Sequence, residues 1–171
     1  MKRKIFLILL LLVIIALYKT SNQVIIIPDS SIRLRVIPNS NSPEDIYIKE
    51  QVKKYLETNI YTLTKDTTTI EESRTIINNN LDNIDSNINK IFTTNTYPLS
   101  YKINYGENYF PEKIYQGVTY KEGYYESLVI SIGEAKGDNF WCVLFPNFCL
   151  IDTQEDHTYK SYFKELINKI F

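Results

Sequence analysis

The first strong pattern in the chain is an alternation of apolar and basic residues. Residues 32–37 read IRLRVI, in which three apolar residues at even-numbered positions share one face, and Arg33 and Arg35 share the other. A period of two is typical of a strand with one buried face. The sequence therefore predicts a half-buried strand here, and the turn-forming residues 38–41 predict its end.

A helix is predicted to begin at Pro43. Ser42 suits the N-cap, Pro43 suits the first turn, and Asp45 suits the N3 position of a capping-box arrangement. Beyond this start, apolar residues recur at helical spacing, namely Ile48, Val52, Tyr55 or Leu56, and Ile60. The stripe predicts that one face of the helix packs back on the strand.

A second helical pattern follows the break TKDTTT at residues 64–69. Thr69 and Glu72 predict another capping box. The apolar residues after it occupy heptad a and d positions: Ile70, Ile77, Leu81, Ile84, Ile88 and Ile91. Because the repeat lasts only about three heptads, one helix packed within the domain is favoured over a coiled-coil partner strand.

From Tyr97 onward the hydrophobic period changes from helical spacing to two. Strands are predicted at residues 99–105, 115–120, 124–132 and 140–152, with glycines near their boundaries. The sequence SYFKELINKIF, which ends the chain, predicts a short amphipathic helix. This order of elements predicts a single α+β domain, with a mainly antiparallel sheet and helices packed on one face.

An apolar run precedes this domain. It extends from Ile5 to Tyr18 behind three consecutive basic residues, a pattern that predicts an export signal. Fourteen helical residues reach only about 21 Å, which is less than the ~30 Å hydrocarbon core. No small-residue cleavage pattern follows the run, so a cleaved signal peptide and an uncleaved anchor that tethers the chain to a membrane both stay open.

The export pattern defines the domain bounds and the compartment. We assign residues 1–22 to the signal peptide or anchor, 23–31 to a linker, and 32–171 to the domain. Positive charges ahead of the run predict that the rest of the chain lies outside the cytosol. The formal net charge is −1, and it becomes −4 without the three basic residues, so the sequence indicates no nucleic-acid partner.

Metal and catalytic motifs are absent from the sequence. Cys142, Cys149 and His157 are the only soft or borderline metal ligands after the export segment, and C-x6-C is not a structural zinc spacing. Glu134 and Asp138 lie in the turn-like stretch GEAKGDN, where backbone preferences explain them. We therefore expect no metal, no cofactor and no catalytic residue.

The two cysteines are better explained as a pair. Outside the cytosol, two cysteines with none left over favour one disulfide between Cys142 and Cys149, which would contribute roughly 2.5 kcal/mol. The pairing depends on the turn between them. A turn at Phe145-Pro146 places the thiols opposite each other, whereas a turn at Pro146-Asn147 separates them and favours two free buried thiols.

The aromatic residues beside the cysteines allow two interpretations. Phe140 and Trp141 point to opposite faces of a strand, so one can lie in the core while the other is exposed. Burial is the favoured interpretation of these aromatics, and recognition of a protein partner is the alternative. The candidate partner-binding residues are Trp141, Phe140, Asn139, Phe110 and Tyr125.

Three stretches together resemble a known family, the stage II sporulation protein R family. The first is IRLRVIPNSNSPEDIYIKEQV at residues 32–52, and the second is GYYESLVISIGEAKGDNFWCVLFPNFCLID at residues 123–152. Between them, YFPEKIY at residues 109–115 is similar to the family's Phe-Pro and Tyr stretch. The resemblance thus covers about residues 32–152.

The resemblance implies a signalling function. It implies a protein made in the forespore and exported to the space between forespore and mother cell. There it would activate a membrane-embedded aspartic protease, which cleaves the inactive precursor of the mother-cell sigma factor, sigma-E. This implies a protein partner and no enzymatic activity of its own. The alternative is an exported cell-wall hydrolase or cell-wall-binding module with an unrecognised site.

Overall fold

The computed structural model describes residues 29–114, 120–146 and the isolated positions 3 and 10, and the backbone alone of residues 25–26, 115, 118 and 119. The apolar run apart from Leu10, the predicted C-terminal helix, Cys149 and His157 lie outside these described residues. The chain divides into two compact units, which we treat separately. The larger contains Asp29–Asn108 and the segment from Tyr124 onward, and the smaller contains Tyr109–Gly123 and the segment up to Pro28.

The elements follow in a strand, helix, strand order. In chain order they are β1 (Ile25–Ile26), β2 (Ile32–Ile37), α1 (Pro43–Leu56), α2 (Ile70–Asn79), α3 (Leu81–Thr94), β3 (Tyr101–Phe110), β4 (Lys113–Tyr115), β5 (Val118–Tyr120), β6 (Gly123–Ile132) and β7 (Phe140–Phe145). Helix α1 continues through a π-helical stretch, Glu57–Tyr61, into a last turn, Thr62–Thr64. The α+β class predicted from the sequence is confirmed.

The main sheet has four strands in the order β3-β6-β2-β7. Strand β2 pairs antiparallel with β7 but parallel with β6. The expectation of a mainly antiparallel sheet therefore needs correction, because the sheet is mixed and its central pair is parallel. A parallel pair requires a long crossover connection, and the helices between β2 and β3 form part of that connection.

Strand β2 is more deeply buried than its sequence predicts. Because it lies between β6 and β7, both of its edges are paired. Its apolar residues face the helical core, yet Arg33 on the opposite face is also fully buried, with its guanidinium carbon 3.3 Å from the centroid of the Tyr125 ring. The expectation of a half-buried strand is therefore wrong for β2.

Helix α1 begins where the sequence predicts. Ser42 is the N-cap, and its Oγ accepts a hydrogen bond from the backbone N–H of Asp45 at 3.2 Å. The predicted apolar stripe is confirmed, since these residues are fully or almost fully buried: Ile48, Val52, Leu56 and Ile60. Only half of the predicted capping box forms, because the N–H of Ser42 donates to Ser40 Oγ and the Asp45 carboxylate binds other groups.

The heptad pattern folds as two helices rather than one. The chain breaks at Asn80, where φ is −108° and ψ is 1°. The Asn80 side chain donates to the carbonyl of Ile76 at 2.8 Å and so closes the end of α2. The predicted packing is nevertheless confirmed, because Ile77, Ile84 and Ile88 are fully buried in the core.

The strands in the second half of the chain partly match their predicted bounds. Strand β6 agrees closely, and its residues Leu128, Ile130 and Ile132 lie in the core as expected. Strand β3 begins at Tyr101 and continues past Gly106 to Phe110. The predicted strand 115–120 falls on two short strands, β4 and β5, and the predicted strand 140–152 is described only as far as Phe145.

The smaller unit contains a three-stranded sheet in the order β1-β5-β4. Strand β1 pairs parallel with β5, and β4 pairs antiparallel with β5. Residues 25–26 of the predicted linker thus belong to a strand. Among the residues described, no helix combines the length and the apolar character that crossing a membrane requires.

Candidate functional site

Two loops follow the neighbouring parallel strands β2 and β6 and contact each other closely. We call residues 38–42 and 133–139 the paired loops. The backbone N–H of Lys136 donates to the carbonyl of Asn39 at 3.0 Å, and the N–H of Gly137 donates to the carbonyl of Pro38 at 3.0 Å. Because the carboxyl ends of parallel neighbours meet at the same edge of a sheet, the two loops extend the pairing of their strands.

Asparagine side chains of the first loop add two more bonds to the second loop. Asn39 Oδ1 accepts from the backbone N–H of Glu134 at 3.0 Å. Asn41 Oδ1 accepts from the backbone N–H of Asp138 at 2.7 Å. Each bond satisfies a backbone donor that a turn would otherwise leave to solvent, so the paired loops hold each other in one conformation.

Glycines make this close approach possible. Gly133 has a φ of 54°, and a Cβ added there would lie 2.5 Å from Asn39 Oδ1. A Cβ at Gly137 would lie 2.4 Å from the backbone oxygen of Ser40. Real Cβ atoms do not come this close to backbone oxygens, so any larger residue at Gly137 would push the loops apart.

Asp45 joins the first loop to helix α1. Its carboxylate is 5% exposed and accepts hydrogen bonds from Ser40 Oγ at 2.6 Å, from Asn39 Nδ2 at 2.9 Å, and from the Tyr97 hydroxyl. Burial opposes ionisation of this carboxyl, but the hydrogen bonds from Ser40, Tyr97, Asn39 and Ser42 outweigh it and lower the pKa of Asp45 to about 2. The group is therefore a fixed anion at physiological pH.

Among the residues that donate a hydrogen bond to the Asp45 carboxylate, Tyr97 is the most distant in the sequence. It precedes β3, and its ring packs edge-on against Phe92 of α3, with centroids 5.2 Å apart. Burial, together with the hydrogen bond to the Asp45 carboxylate, raises the pKa of Tyr97, so its hydroxyl stays protonated and can donate. The Asp45 cluster thus connects the first loop, α1 and the end of α3.

A second cluster lies on the face of the sheet opposite the helical core. In the amide orientation that satisfies both groups, the Asn139 side-chain oxygen accepts from Nη2 and Nε of Arg35 at 2.7 and 3.0 Å. The same amide donates to the carbonyl of Gly137 at 3.0 Å. The Arg35 guanidinium carbon lies 5.1 Å from the centroid of the Trp141 ring. Trp141 is thereby connected to the second loop through Arg35 and Asn139.

The candidate partner-binding residues do not form one exposed patch. The structure buries both neighbours at the start of β7, with Phe140 at 6% exposure in the helical core and Trp141 at 3% on the opposite face. The favoured interpretation of these two aromatics, burial, is therefore confirmed, and neither of them is exposed. Tyr125 is buried and stacks against Arg33, Asn139 is half-buried, and Phe110 is buried in the smaller unit.

The paired loops present a polar surface to solvent. Glu134 and Lys136 form an exposed ion pair at 2.6 Å, and Asp138 is exposed beside them. Across residues 29–114 and 120–146, no three His, Cys, Asp or Glu side chains come together as a metal site would require.

Sequence reasoning missed both the pairing of the loops and the Asp45 cluster. The signals were present, since PNSNS and GEAKGDN are both rich in turn-forming residues, but each was interpreted on its own. Only the parallel pairing of β2 with β6 brings them together. Cys142 is buried in β7 opposite Leu34, while Cys149 lies outside the described residues, so their disulfide stays a prediction.

The fold and the paired loops define a small α+β domain with an organised polar surface, and comparison with known proteins identifies its family. The chain belongs to the stage II sporulation protein R family, whose model matches residues 28–155. It is 34% identical over 143 residues to the protein named Stage II sporulation protein R of Bacillus subtilis (strain 168). That alignment covers 84% of this chain and 64% of the relative's length. No solved structure matches the chain.

Proposed function

We propose that this chain is an exported signalling protein of sporulation that activates a membrane-embedded aspartic protease, which then cleaves the inactive sigma-E precursor in the mother cell. The chain acts as a ligand of the protease and not as an enzyme. It works in the space between forespore and mother cell, after export across the forespore membrane. The observation that carries the proposal is the family match over residues 28–155, which includes both paired loops.

The candidate partner-binding residues act in this proposal by supporting the recognition surface. Trp141 and Asn139 hold Arg35 and the second loop, and Phe140 anchors the start of β7 in the core. Phe110 and Tyr125 are also buried, so in this proposal they stabilise the fold and do not contact the partner. Substitution of any of them should therefore lower the melting temperature together with signalling, whereas loss of a direct contact would leave the melting temperature unchanged.

The cysteines have a structural part in the proposed function. An oxidising compartment outside the cytosol permits a Cys142–Cys149 bond, which would secure the chain beyond β7. Closing so short a loop restricts the unfolded chain and raises the stability of the exported domain.

Co-expression in a non-sporulating host tests the proposed function. The full chain is produced together with the candidate protease and its sigma-E precursor, and precursor cleavage is followed by immunoblot. Cleavage should require all three proteins and should require export of this chain. A matched control is Ser86→Ala, an exposed substitution on α3 that should leave cleavage unchanged.

Two results would contradict the proposal. Precursor cleavage that is equally strong without this chain would show that it is not the activator. Turnover of peptidoglycan or of a peptide substrate by the purified protein would instead favour the exported hydrolase. Saturable binding to the membrane domain of the protease would support the ligand function.

A further inference from the structure

A third loop joins the paired loops at the same edge of the main sheet. We use this name for residues 96–100, which lie between α3 and β3. The backbone N–H of Gly133 donates to the carbonyl of Ser100 at 2.8 Å, so the third loop is bonded to the second of the paired loops. The Tyr97 hydroxyl donates to the Asp45 carboxylate, which also binds the first of them. We call all three together the three-loop surface, and it belongs entirely to the larger unit.

The end of α3 fixes the backbone of the third loop. Thr96 has a φ of 51°, in the left-handed region. The N–H of Tyr97 donates to the carbonyl of Phe92 at 2.9 Å, and that of Thr96 donates to the carbonyl of Thr93 at 3.1 Å, which together form a Schellman motif. Glycine is usual at this position, and a β-branched residue adopts the conformation only where surrounding contacts impose it. A loop held in this way loses little conformational entropy when a partner binds.

The third loop presents apolar side chains to solvent. Pro98 and Leu99 are both exposed, and they lie between Tyr97 and Ser100, the residues that bond the loop to the rest of the surface. A single exposed leucine is ordinary on a protein surface. An apolar pair on a fixed loop, with polar loops bonded to it, has instead the composition of a protein interface, in which a polar rim surrounds an apolar centre.

The exposed charges of the three-loop surface and of the first turn of α1 are mostly acidic. Their carriers are Glu44, Glu134, Lys136 and Asp138. Lys136 forms an ion pair with Glu134 at 2.6 Å, whereas the other two acids belong to no ion pair between described residues. The neighbouring cations Lys49 and Arg35, which bind groups of the second loop, are not exposed. A partner that complements this surface therefore carries lysine or arginine beside an apolar side chain.

We propose that the three-loop surface is the docking site for the protein partner, with Pro98 and Leu99 at the centre of the contact and the acids at its rim. The segment that fits it carries an apolar side chain flanked by lysine or arginine. This inference rests on the proposed function, in which the partner is the membrane-embedded protease. It moves the centre of the contact from Phe140 and Trp141, which are buried, to the third loop.

Photocrosslinking in the co-expression host locates the contact. Benzoylphenylalanine replaces Leu99 in one full-length chain and Leu63 in another, and ultraviolet light joins it to the protein that lies against it. Leu63 is a matched control, because it is also exposed and belongs to the same unit. It lies in the last turn that continues α1, about 30 Å along the helix from the first loop. An adduct with the protease should form from position 99 and not from position 63.

Leu99→Ser and Leu63→Ser measure the strength of the contact. Each full-length variant is titrated in detergent against the immobilised protease, with a bare surface as the blank. Leu99→Ser should bind about tenfold more weakly than the unsubstituted chain, and Leu63→Ser should bind within about twofold of it. Leu99→Met keeps an apolar side chain and should bind about as tightly as the unsubstituted chain. Melting temperatures should be equal for all of these proteins, because both leucines are exposed.

Equal binding of Leu99→Ser and Leu63→Ser would overturn the proposal, as would an adduct from position 63 but not from position 99. An adduct between two copies of this chain, in place of the adduct with the protease, would also overturn it. Immunoblotting of the sigma-E precursor in the same cells separates this inference from the proposed function. Cleavage without an adduct from position 99 would refute the three-loop surface and keep the proposed function. An adduct without cleavage would support the surface and count against the proposed function.

Discussion

At the scale of single residues, Asp45 and Gly137 decide the geometry of the paired loops. Asp45 was predicted to complete a capping box, but its carboxylate binds Ser40, Asn39 and Tyr97 instead. A carboxylate that accepts several hydrogen bonds is strongly held in place, and its charge strengthens each of them. Gly137 acts differently, because what matters there is the absence of a side chain against the backbone of the other loop.

Gly137→Ala should destabilise the domain by about 1–3 kcal/mol, because the added methyl group would lie 2.4 Å from the backbone oxygen of Ser40. Chemical denaturation measures the change in the free energy of unfolding. Ser86→Ala, at an exposed position of α3, is the control and should change it by less than about 0.5 kcal/mol. Equal stability of the two variants would show that the loops separate without cost.

Asp45→Asn should lower the free energy of unfolding by about 2 kcal/mol or more. The amide carries no charge, and its NH2 group would face hydrogen-bond donors from which it cannot accept. Tyr97→Phe removes one donor and leaves the charge, so its cost should be smaller than that of Asp45→Asn. Urea unfolding of both variants at neutral pH measures the difference. An Asp45→Asn protein as stable as the unsubstituted one would contradict the anchoring role of the carboxylate.

The Asp45 cluster also predicts a pH dependence of stability. An unperturbed aspartate titrates near pH ~4, whereas the pKa of Asp45 in the fold is about 2. Between these values the unfolded chain binds more protons, so the contribution of Asp45 is fully present above pH ~4 and is lost as the pH falls towards 2. Urea unfolding between pH 7 and pH 2.5 should show a flatter profile for Asp45→Asn than for the unsubstituted chain.

At the scale of elements, local signals predict helix starts better than they predict helix continuity. Both N-caps lie where the sequence places them, and the Thr69–Glu72 capping box forms with both of its hydrogen bonds. The heptad pattern of α2 and α3 was interpreted as one helix because its period continues across Asn80. A hydrophobic period records which residues face the core and does not detect a break that keeps the same face buried.

Thr69→Ala should lower the stability of the domain by about 1 kcal/mol, because the N–H of Glu72 loses the Thr69 hydroxyl as its acceptor. Thr94→Ala at the exposed end of α3 is the matched control and should have little effect. Thermal unfolding measures both changes. If the two substitutions lower the melting temperature equally, the capping box of α2 contributes nothing specific.

The segment after β7 carries the prediction of a disulfide. Cys142 and Cys149 should be oxidised to each other in the exported protein, because no other cysteine competes and the compartment permits oxidation. Alkylation of the unfolded protein followed by intact mass measurement should show no label unless a reductant is added. Two labelled thiols without a reductant would contradict the bond and favour the turn at Pro146-Asn147.

At the scale of the whole molecule, the proposed signal depends on export as well as on the folded domain. The larger unit has its own core, which begins at Ile32 and is built from β2, the helices and the strands that follow. Folding and delivery should therefore be separable by deletion of the run.

Deletion of Met1 to Tyr18 should abolish precursor cleavage in the co-expression host and still leave a folded domain. Circular dichroism and thermal unfolding check the fold, and immunoblotting checks cleavage. A second variant, in which an unrelated cleavable signal peptide replaces the deleted run, tests whether export is sufficient. Full cleavage by the cytosolic form would contradict the requirement for export.

The sequence by itself determined most of the elements and the buried faces of the helices. Caps such as Ser42 and Thr69 act on backbone groups three residues away, and the stripe from Ile48 to Ile60 follows from the helical period alone. These signals are local, so no distant part of the chain changes them. The α+β class follows from their order.

Only the tertiary structure decided the neighbours of β2, the burial of Arg33 and Trp141, and the partners of Asp45. The hydrogen bond from the N–H of Glu134 to Asn39 Oδ1 joins residues 95 positions apart, and no periodicity specifies such a pair. Strand order is set by which surfaces exclude water together, and this depends on all elements at once. A turn residue such as Gly137 becomes indispensable only when that order brings another backbone against it.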